Sequence, residues 1–389
     1  MNVIVNIKSL TPPVTGIGRY TAEILKYLSL WNDVEAFDLL KTYSHQELQE
    51  KIKHLDDVIK KKTSVSIHTD IKQYIKKIPY SYALRQKIQQ QLTRKLFKAD
   101  SNSIYWEPNF ILQPFDGASI ASIHDLSHIK HPNYHTQASR QWLDDNLENT
   151  IKRADAIVTL SEFSKQEILN YFSVPAEKVK IVSPAVSEAF KVSIEPEEIQ
   201  KIKKKYHLPE NYVLSVGTME PRKNLKKLLH AYNQLPKQLK LAYPLVLVGA
   251  KGWDNLSDII QPMVDKKELI LLGYIAQQDI PSIYKSASLF IYISLYEGYG
   301  MPVSEAMASG VAVITSENSA MSEVAGNAAE LVNPENEQAI TSSIQYYLEN
   351  ETARQELADK GKKQIQNSSW QYSANQLQNI LTTVAENQG

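Results

Sequence analysis

The chain has 389 residues, with 43 basic and 43 acidic side chains and no cysteine. That length allows two or three domains with sizeable cores, and the lack of cysteine excludes a disulfide framework, thiolate metal sites and a cysteine nucleophile. Zero formal net charge argues against a dedicated nucleic-acid binder, which carries a basic excess.

The N-terminal MNVIVNIKSL has no basic stretch ahead of a long apolar core, so it does not read as a signal peptide. Apolar runs such as Leu289–Ile293 are strand-sized, far from the ~20 residues of a membrane span. The expectation is a cytoplasmic protein, peripheral to a membrane if it meets one. Strands are expected at Val3–Ile7, Ser103–Trp106, Ser119–Ile123, Ala156–Leu160 and Val179–Val182, then at Tyr212–Val216, Leu245–Val248, Leu269–Leu272, Leu289–Ile293 and Ala312–Ile314. They are short, apolar on both faces and separated by helix-length segments, the pattern of parallel sheets covered by helices. The charged run Ile194–Lys205 marks a composition shift between the two sets. The expected division is therefore two doubly wound α/β domains, 1–188 and 189–368, followed by an amphipathic helix within 369–389. Ligands of such sheets sit outside the carboxyl ends of the strands, so the chemistry should lie in strand-to-helix loops.

Four loops stand out. Gly16-Ile17-Gly18, after the first strand, opens a helix and would let backbone amides approach an anion or sugar; a plain helix start explains it equally well. Thr21 occupies the third glycine position of a dinucleotide fingerprint, which disfavours an oxidoreductase. His124-Asp125 ends the third strand and reads as functional or structural with even weight. In Val216–Asn224, Arg222 and Lys223 oppose the dipole of the helix that follows, a placement that makes sense with an anion between them. A planar fork beside a point charge suits a diphosphate, the alternative being a solvated basic turn; Asn224 is expected to cap the helix. In the fourth loop, Glu297 and Glu305 flank Gly298-Tyr299-Gly300-Met301-Pro302. The glycines permit close backbone approach, Pro302 suits a first helical turn, and the carboxylates can accept bonds from vicinal hydroxyls. Glu305 is expected in the first helical turns, favoured there by the macrodipole.

Together, Gly16-Ile17-Gly18, His124-Asp125-Leu126, Ser161–Lys165, Val216–Asn224, Gly273, the E-x7-E motif Glu297–Glu305 and Ser322–Gly326 resemble the family 4 retaining glycosyltransferases, in the right order from about residue 14 to 334. The resemblance implies a GT-B fold, two facing Rossmann-like domains with a central cleft, and a final helix around Trp370 that crosses back onto the N-terminal domain. It implies that Arg222 and Lys223 hold the donor diphosphate, that Glu305 binds the ribose, and that Glu297 with the backbone of Gly298–Met301 binds the transferred sugar. Tyr299 and Pro302 belong to the same donor loop. His124, with Asp125 beside it, would lie next to the anomeric centre, and Gly16 and Gly18 near the phosphates and acceptor. The usual proposal for the family is front-face attack with the leaving phosphate taking the acceptor proton. No Asp-x-Asp pair falls in a plausible loop, so no metal cofactor is expected, the basic pair meeting the leaving-group charge instead.

The form HDLSHIKHPNYH (His124–His135) with VGTMEPRKN looks like bacterial mannosyltransferases of O-antigen and capsule assembly, which points to GDP-mannose; a UDP-sugar donor stays open. The acceptor would be a glycan or lipid-linked oligosaccharide. Residues 71–99 hold eight Lys or Arg and no acid, including Lys76, Lys77, Arg85, Arg94 and Lys95, interleaved with aromatics. This suits an anionic membrane surface, the alternative being a solvated helical face. A sugar-nucleotide 2-epimerase and a non-catalytic carbohydrate-binding subunit are the competing readings. Ser286–Ala353, in contrast, holds nine glutamates and no Lys or Arg, so zero net charge sums two opposite biases.

Overall fold

The computed structural model describes residues 1–11, 14–38, 41–60, 103–250 and 252–387. Two units emerge: Met1–Pro184 with Trp370–Gly389, and Ala185–Ser369. The break expected after residue 188 falls after Pro184. The basic segment, with Lys76, Lys77, Arg85, Arg94 and Lys95, lies outside the described residues.

The first unit is built on β1 (Asn2–Asn6), β2 (Asp33–Phe37), β3 (Thr42–Tyr43), β4 (Ser103–Glu107), β5 (Ala118–Ser122), β6 (Ala156–Thr159) and β7 (Val179–Ile181). Their order in the sheet is β3-β2-β1-β4-β5-β6-β7, parallel except for the β2–β3 pair. Every residue of β4 and β5 is buried, as expected of central strands covered on both faces. The sequence did not announce β2 and β3: β2 (DVEAF) alternates exposed acids with buried apolar residues toward the sheet margin, and β3 has only two residues.

The second unit holds β8 (Val213–Val216), β9 (Leu245–Val248), β10 (Leu269–Gly273), β11 (Leu289–Tyr292), β12 (Val313–Ser316) and β13 (Glu330–Val332). The order is β10-β9-β8-β11-β12-β13, all parallel. In both sheets the chain lays strands outward one way, then returns to the middle and lays the rest the other way. The reversal falls between β1 and β4 in the first sheet and between β8 and β11 in the second. A crevice opens outside the carboxyl ends of such strand pairs, because their loops depart to opposite faces.

The last helix, Trp370–Glu386, belongs to the first unit. It buries Trp370, Ala374, Leu377, Leu381 and Val384, a stripe at helical spacing, against the helix Gly16–Trp31. Ser373 Oγ donates to Ser183 O at 2.7 Å, and the Trp370 ring meets Tyr20 edge-on at 5.9 Å. Among the described residues, no helix is long and apolar enough to cross a membrane.

Candidate active site

In the second unit the sheet reversal makes neighbours of two loops far apart in sequence. The loop after β8 ends in a 3-10 turn, Pro221–Lys223. The loop after β11 runs to the helix Met301–Ala308. Leu295 N donates to Arg222 O at 2.9 Å and ties them together. Glu297 sits between the two cations: Arg222 Nη1 lies 2.7 Å from its Oε2 and Lys223 Nζ 2.7 Å from its Oε1. Arg222 Nη1 also donates to Tyr296 O at 2.7 Å. Beneath them, the buried Tyr292 hydroxyl accepts from Lys223 Nζ and donates to Glu297 Oε1 at 2.9 Å.

The electrostatics follow from this crowding. Burial alone would raise the Glu297 carboxyl, but Arg222 and then Lys223 outweigh it and hold it at about 2. Burial pushes the Lys223 ammonium down, Glu297 pulls it up, and Arg222 again pushes it down. Both cations meet Glu297, and a second carboxylate, Glu220 Oε2, lies 3.9 Å from Arg222 Nη2 at the edge of the cluster. Lys223 has three N–H donors, two of them used on Glu297 and Tyr292. The group between the two cations in this structure is the protein's own carboxylate, Glu297.

Asn224 does something other than cap. It takes a left-handed conformation at φ 57° and makes no side-chain cap bond. Its buried amide donates instead to Ile293 O at 3.2 Å and Pro334 O at 2.8 Å. The residue pins the basic turn to the segments that follow β11 and β13 by satisfying backbone carbonyls there. Tyr292 was not singled out from the sequence; its signal was a polar tip inside an otherwise apolar strand, LFIY.

Gly300 has φ 95°, a conformation that disfavours any side chain, and opens the helix in which Pro302 takes an early position. Gly298 is buried, while Tyr299, Met301 and Pro302 are half-buried. Glu305 is the fifth residue of that helix, beyond the first turn, so the expected macrodipole support is weak there. Its buried carboxylate accepts from Tyr284 OH at 3.1 Å.

In the first unit, Gly16 is exposed and Gly18 buried. A Cβ on Gly18 would lie 2.3 Å from Ser9 O; the glycine lets the helix start press on the preceding turn. His124 follows β5, and its Nε2 lies 2.7 Å from Pro108 O. A carbonyl only accepts, so Nε2 carries the proton and Nδ1 is the bare nitrogen; Nδ1 is buried with no partner among the described residues. Burial lowers the ring's proton affinity, so His124 is neutral near pH 7. Tyr20 and Phe110 pack edge-on against it at 5.6 and 5.7 Å. Asp125 is turned to the backbone, accepting from Ser127 N at 2.9 Å. Ser161 caps the helix Glu162–Phe172, whose Ser164 Oγ donates to His124 O at 3.3 Å.

A carboxylate the sequence reading passed over, Glu107, ends β4 at the reversal of this sheet. It is 1% exposed and accepts from Asn6 Nδ2 at 2.8 Å, from Asn109 N at 3.1 Å and from Tyr105 OH. Burial raises its carboxyl to about 7 against the pull of these three donors. An acid closing the apolar strand SIYWE was the available signal.

Comparison with known proteins agrees with this architecture. A family model described as Glycosyltransferase Family 4 matches residues 14–190, and one described as Glycosyl transferases group 1 matches residues 197–364. The chain is 30% identical over 379 residues to O-antigen chain mannosyltransferase B of Escherichia coli, covering 95% of this chain and 97% of that one. It is 26% identical over 347 residues to O-antigen chain mannosyltransferase RfbU of Salmonella typhimurium, covering 88% and 90%. The crystal structure of Anabaena Alr3699/HepE in complex with UDP-glucose superposes with a TM-score of 0.71 at 17% identity, over 98% of this chain and all of that one.

Proposed function

The chain belongs to the family 4 glycosyltransferases with the GT-B fold, and on that premise we propose that it transfers mannose from GDP-mannose to a hydroxyl of a glycan or lipid-linked oligosaccharide in bacterial polysaccharide assembly. Support for mannose comes from the relatives, both called O-antigen chain mannosyltransferases. Membership displaces the epimerase, oxidoreductase and non-catalytic readings.

The observation that carries the proposal is the pair of largely buried cations, Arg222 and Lys223, held by one carboxylate at the sheet reversal. Desolvated cations cost free energy unless an anion meets them, and a donor diphosphate is such an anion. In this reading Arg222 and Lys223 meet the donor diphosphate and stabilise the charge that grows on it as it leaves. Glu305 takes ribose hydroxyls, and Glu297 with the Gly298–Pro302 segment takes the sugar. His124, neutral and bare at Nδ1, accepts a bond from a sugar hydroxyl, with Gly16, Gly18 and Asp125 in the surrounding loops. The bond from the anomeric carbon to the phosphate oxygen breaks, the bond to the acceptor oxygen forms on the same face, and the acceptor proton passes to the leaving diphosphate. The anomeric configuration is retained and no metal is required.

A panel of GDP, UDP, ADP and TDP sugars tests the donor, since a ligand that binds only the folded state raises the melting temperature. GDP-mannose should give the largest rise; a larger rise with UDP-glucose favours the UDP-sugar reading, a donor held by the Anabaena protein. Undiminished turnover in EDTA and an α-linked product by NMR are expected. Residues 71–99, with Lys76, Lys77, Arg85, Arg94 and Lys95, are proposed to meet the anionic inner face of the cytoplasmic membrane; absent or salt-insensitive binding to anionic liposomes refutes this.

A further inference from the structure

The turn after β4 is held in a costly shape. Phe110 has φ 61°, a left-handed conformation that a bulky residue adopts only when its surroundings impose it. Its amide donates to Ser122 O at 3.0 Å, and Ile111 N donates to Asn109 O at 2.8 Å. At the other end of the turn, Glu107 Oε1 accepts from Asn109 N at 3.1 Å. Its Oε2 is anchored to β1 by Asn6 Nδ2 at 2.8 Å and to its own strand by Tyr105 OH. Asn6 Oδ1 in turn accepts from Lys8 N at 3.1 Å. One buried carboxylate therefore joins the loops leaving β1 and β4, the two strands that flank the sheet reversal. Between the anchored Asn109 and Glu107 lies Pro108, whose carbonyl faces His124 Nε2 at 2.7 Å.

We infer that Glu107 is a positioning residue for His124: by pinning the 107–110 turn it aims the Pro108 carbonyl at Nε2, fixes the Nε2–H tautomer, and keeps Nδ1 as a bare acceptor for a hydroxyl-bearing ligand. Two independent observations meet in this assignment. The strained turn needs an anchor at each end, and the structure supplies Ser122 O and Glu107. The buried Nδ1 has no partner among the described residues, the state expected of a nitrogen reserved for a group that arrives from outside. All three groups around Glu107 are donors, so an ionised carboxylate satisfies them and a carboxamide does not: one of its ends would set a donor against a donor. The use of Nδ1 for a sugar hydroxyl rests on the proposed function; the control of the tautomer does not.

The test is long-range 1H–15N correlation spectroscopy on the full chain labelled at histidine, with His124→Gln to assign the resonance. The wild type should show His124 as a single Nε2–H tautomer near pH 7.5. Glu107→Gln should shift the tautomer ratio by about fivefold or more, the worth of one lost hydrogen bond. Glu107→Asp, which keeps the charge but draws back from Asn109 N, should do the same and serves if the glutamine variant fails to fold. Tyr105→Phe disturbs the same buried cluster while leaving the Asn109 contact, and should leave the tautomer unchanged. An unaltered tautomer in folded Glu107 variants overturns the inference, as does an equal change in Tyr105→Phe, which would mark a general loosening. If GDP-mannose leaves the Nδ1 resonance of the wild type unmoved while the Glu107 variants still redistribute the tautomers, the positioning role stands and the sugar contact assigned to His124 falls.

Discussion

Replacing Glu297 by Gln keeps the shape of the side chain and removes the carboxylate that bridges Arg222 and Lys223 at 2.7 Å, leaving Glu220 at 3.9 Å from Arg222. The carboxyl is moved from 4.5 to about 2, which corresponds to roughly 3 kcal/mol of preference for the ionised folded state. Removing one partner of a buried ion pair costs ~3–5 kcal/mol in other proteins, so about 3 kcal/mol is a consistent expectation. At ~2–4 °C per kcal/mol for a unit of this size, the melting transition of the second unit should fall by about 6–12 °C at pH 7. The sign of the pH dependence is fixed. A carboxyl whose folded value lies below its unfolded value stabilises above the unfolded value and loses that contribution as pH falls through the folded one. The difference between wild type and Glu297→Gln should be constant from pH 8 to 5 and shrink below about 4.5. Differential scanning calorimetry across this range is the assay. Saturating GDP should raise the melting temperature of the variant more than that of the wild type, because its diphosphate meets two cations that have lost their bridging carboxylate. A drop below about 2 °C at pH 7, or a difference that persists unchanged to pH 2.5, refutes the reasoning.

Lys223→Ala should lower kcat by roughly 100-fold or more if the ammonium meets the leaving-group charge, whereas Glu305→Ala should mainly weaken nucleotide binding; steady-state kinetics and calorimetric titration separate the two. Tyr292→Phe removes the hydroxyl that accepts from Lys223, so the charged ammonium loses a partner and the alkaline limb of the kcat/KM profile should move to lower pH. That shift is measured against Glu297, Glu220 and Arg222, the charged groups that act on Lys223. Gly18→Ala places a methyl 2.3 Å from Ser9 O and should destabilise the first unit by ~1–3 kcal/mol, read as a lower melting temperature with the second unit's transition unmoved.

Much of this protein is legible in one dimension. A strand such as Leu245–Val248 is apolar and buried throughout because helices cover both of its faces, and that makes it visible without partners. Loops such as Glu297–Glu305 declare themselves by glycine, proline and charge at strand ends. Elements without that imprint escaped: β13 has three residues, and β2 shows exposed acids along a partly covered margin. What sequence alone determined here is the alternation of strands and helices, the family, and the loops in which ionisable groups gather. Which of those groups touch was decided only by the crossovers that set β8 beside β11 and β1 beside β4. Those crossovers place Glu297 between Arg222 and Lys223, turn Asn224 from a cap into a tie between loops, and bury Glu107 under the turn that faces His124. The physical reason is that burial and pairing are properties of neighbours 74 residues apart, as Lys223 and Glu297 are, or 101 apart, as Asn6 and Glu107 are, and no local pattern records which distant loop will supply the partner.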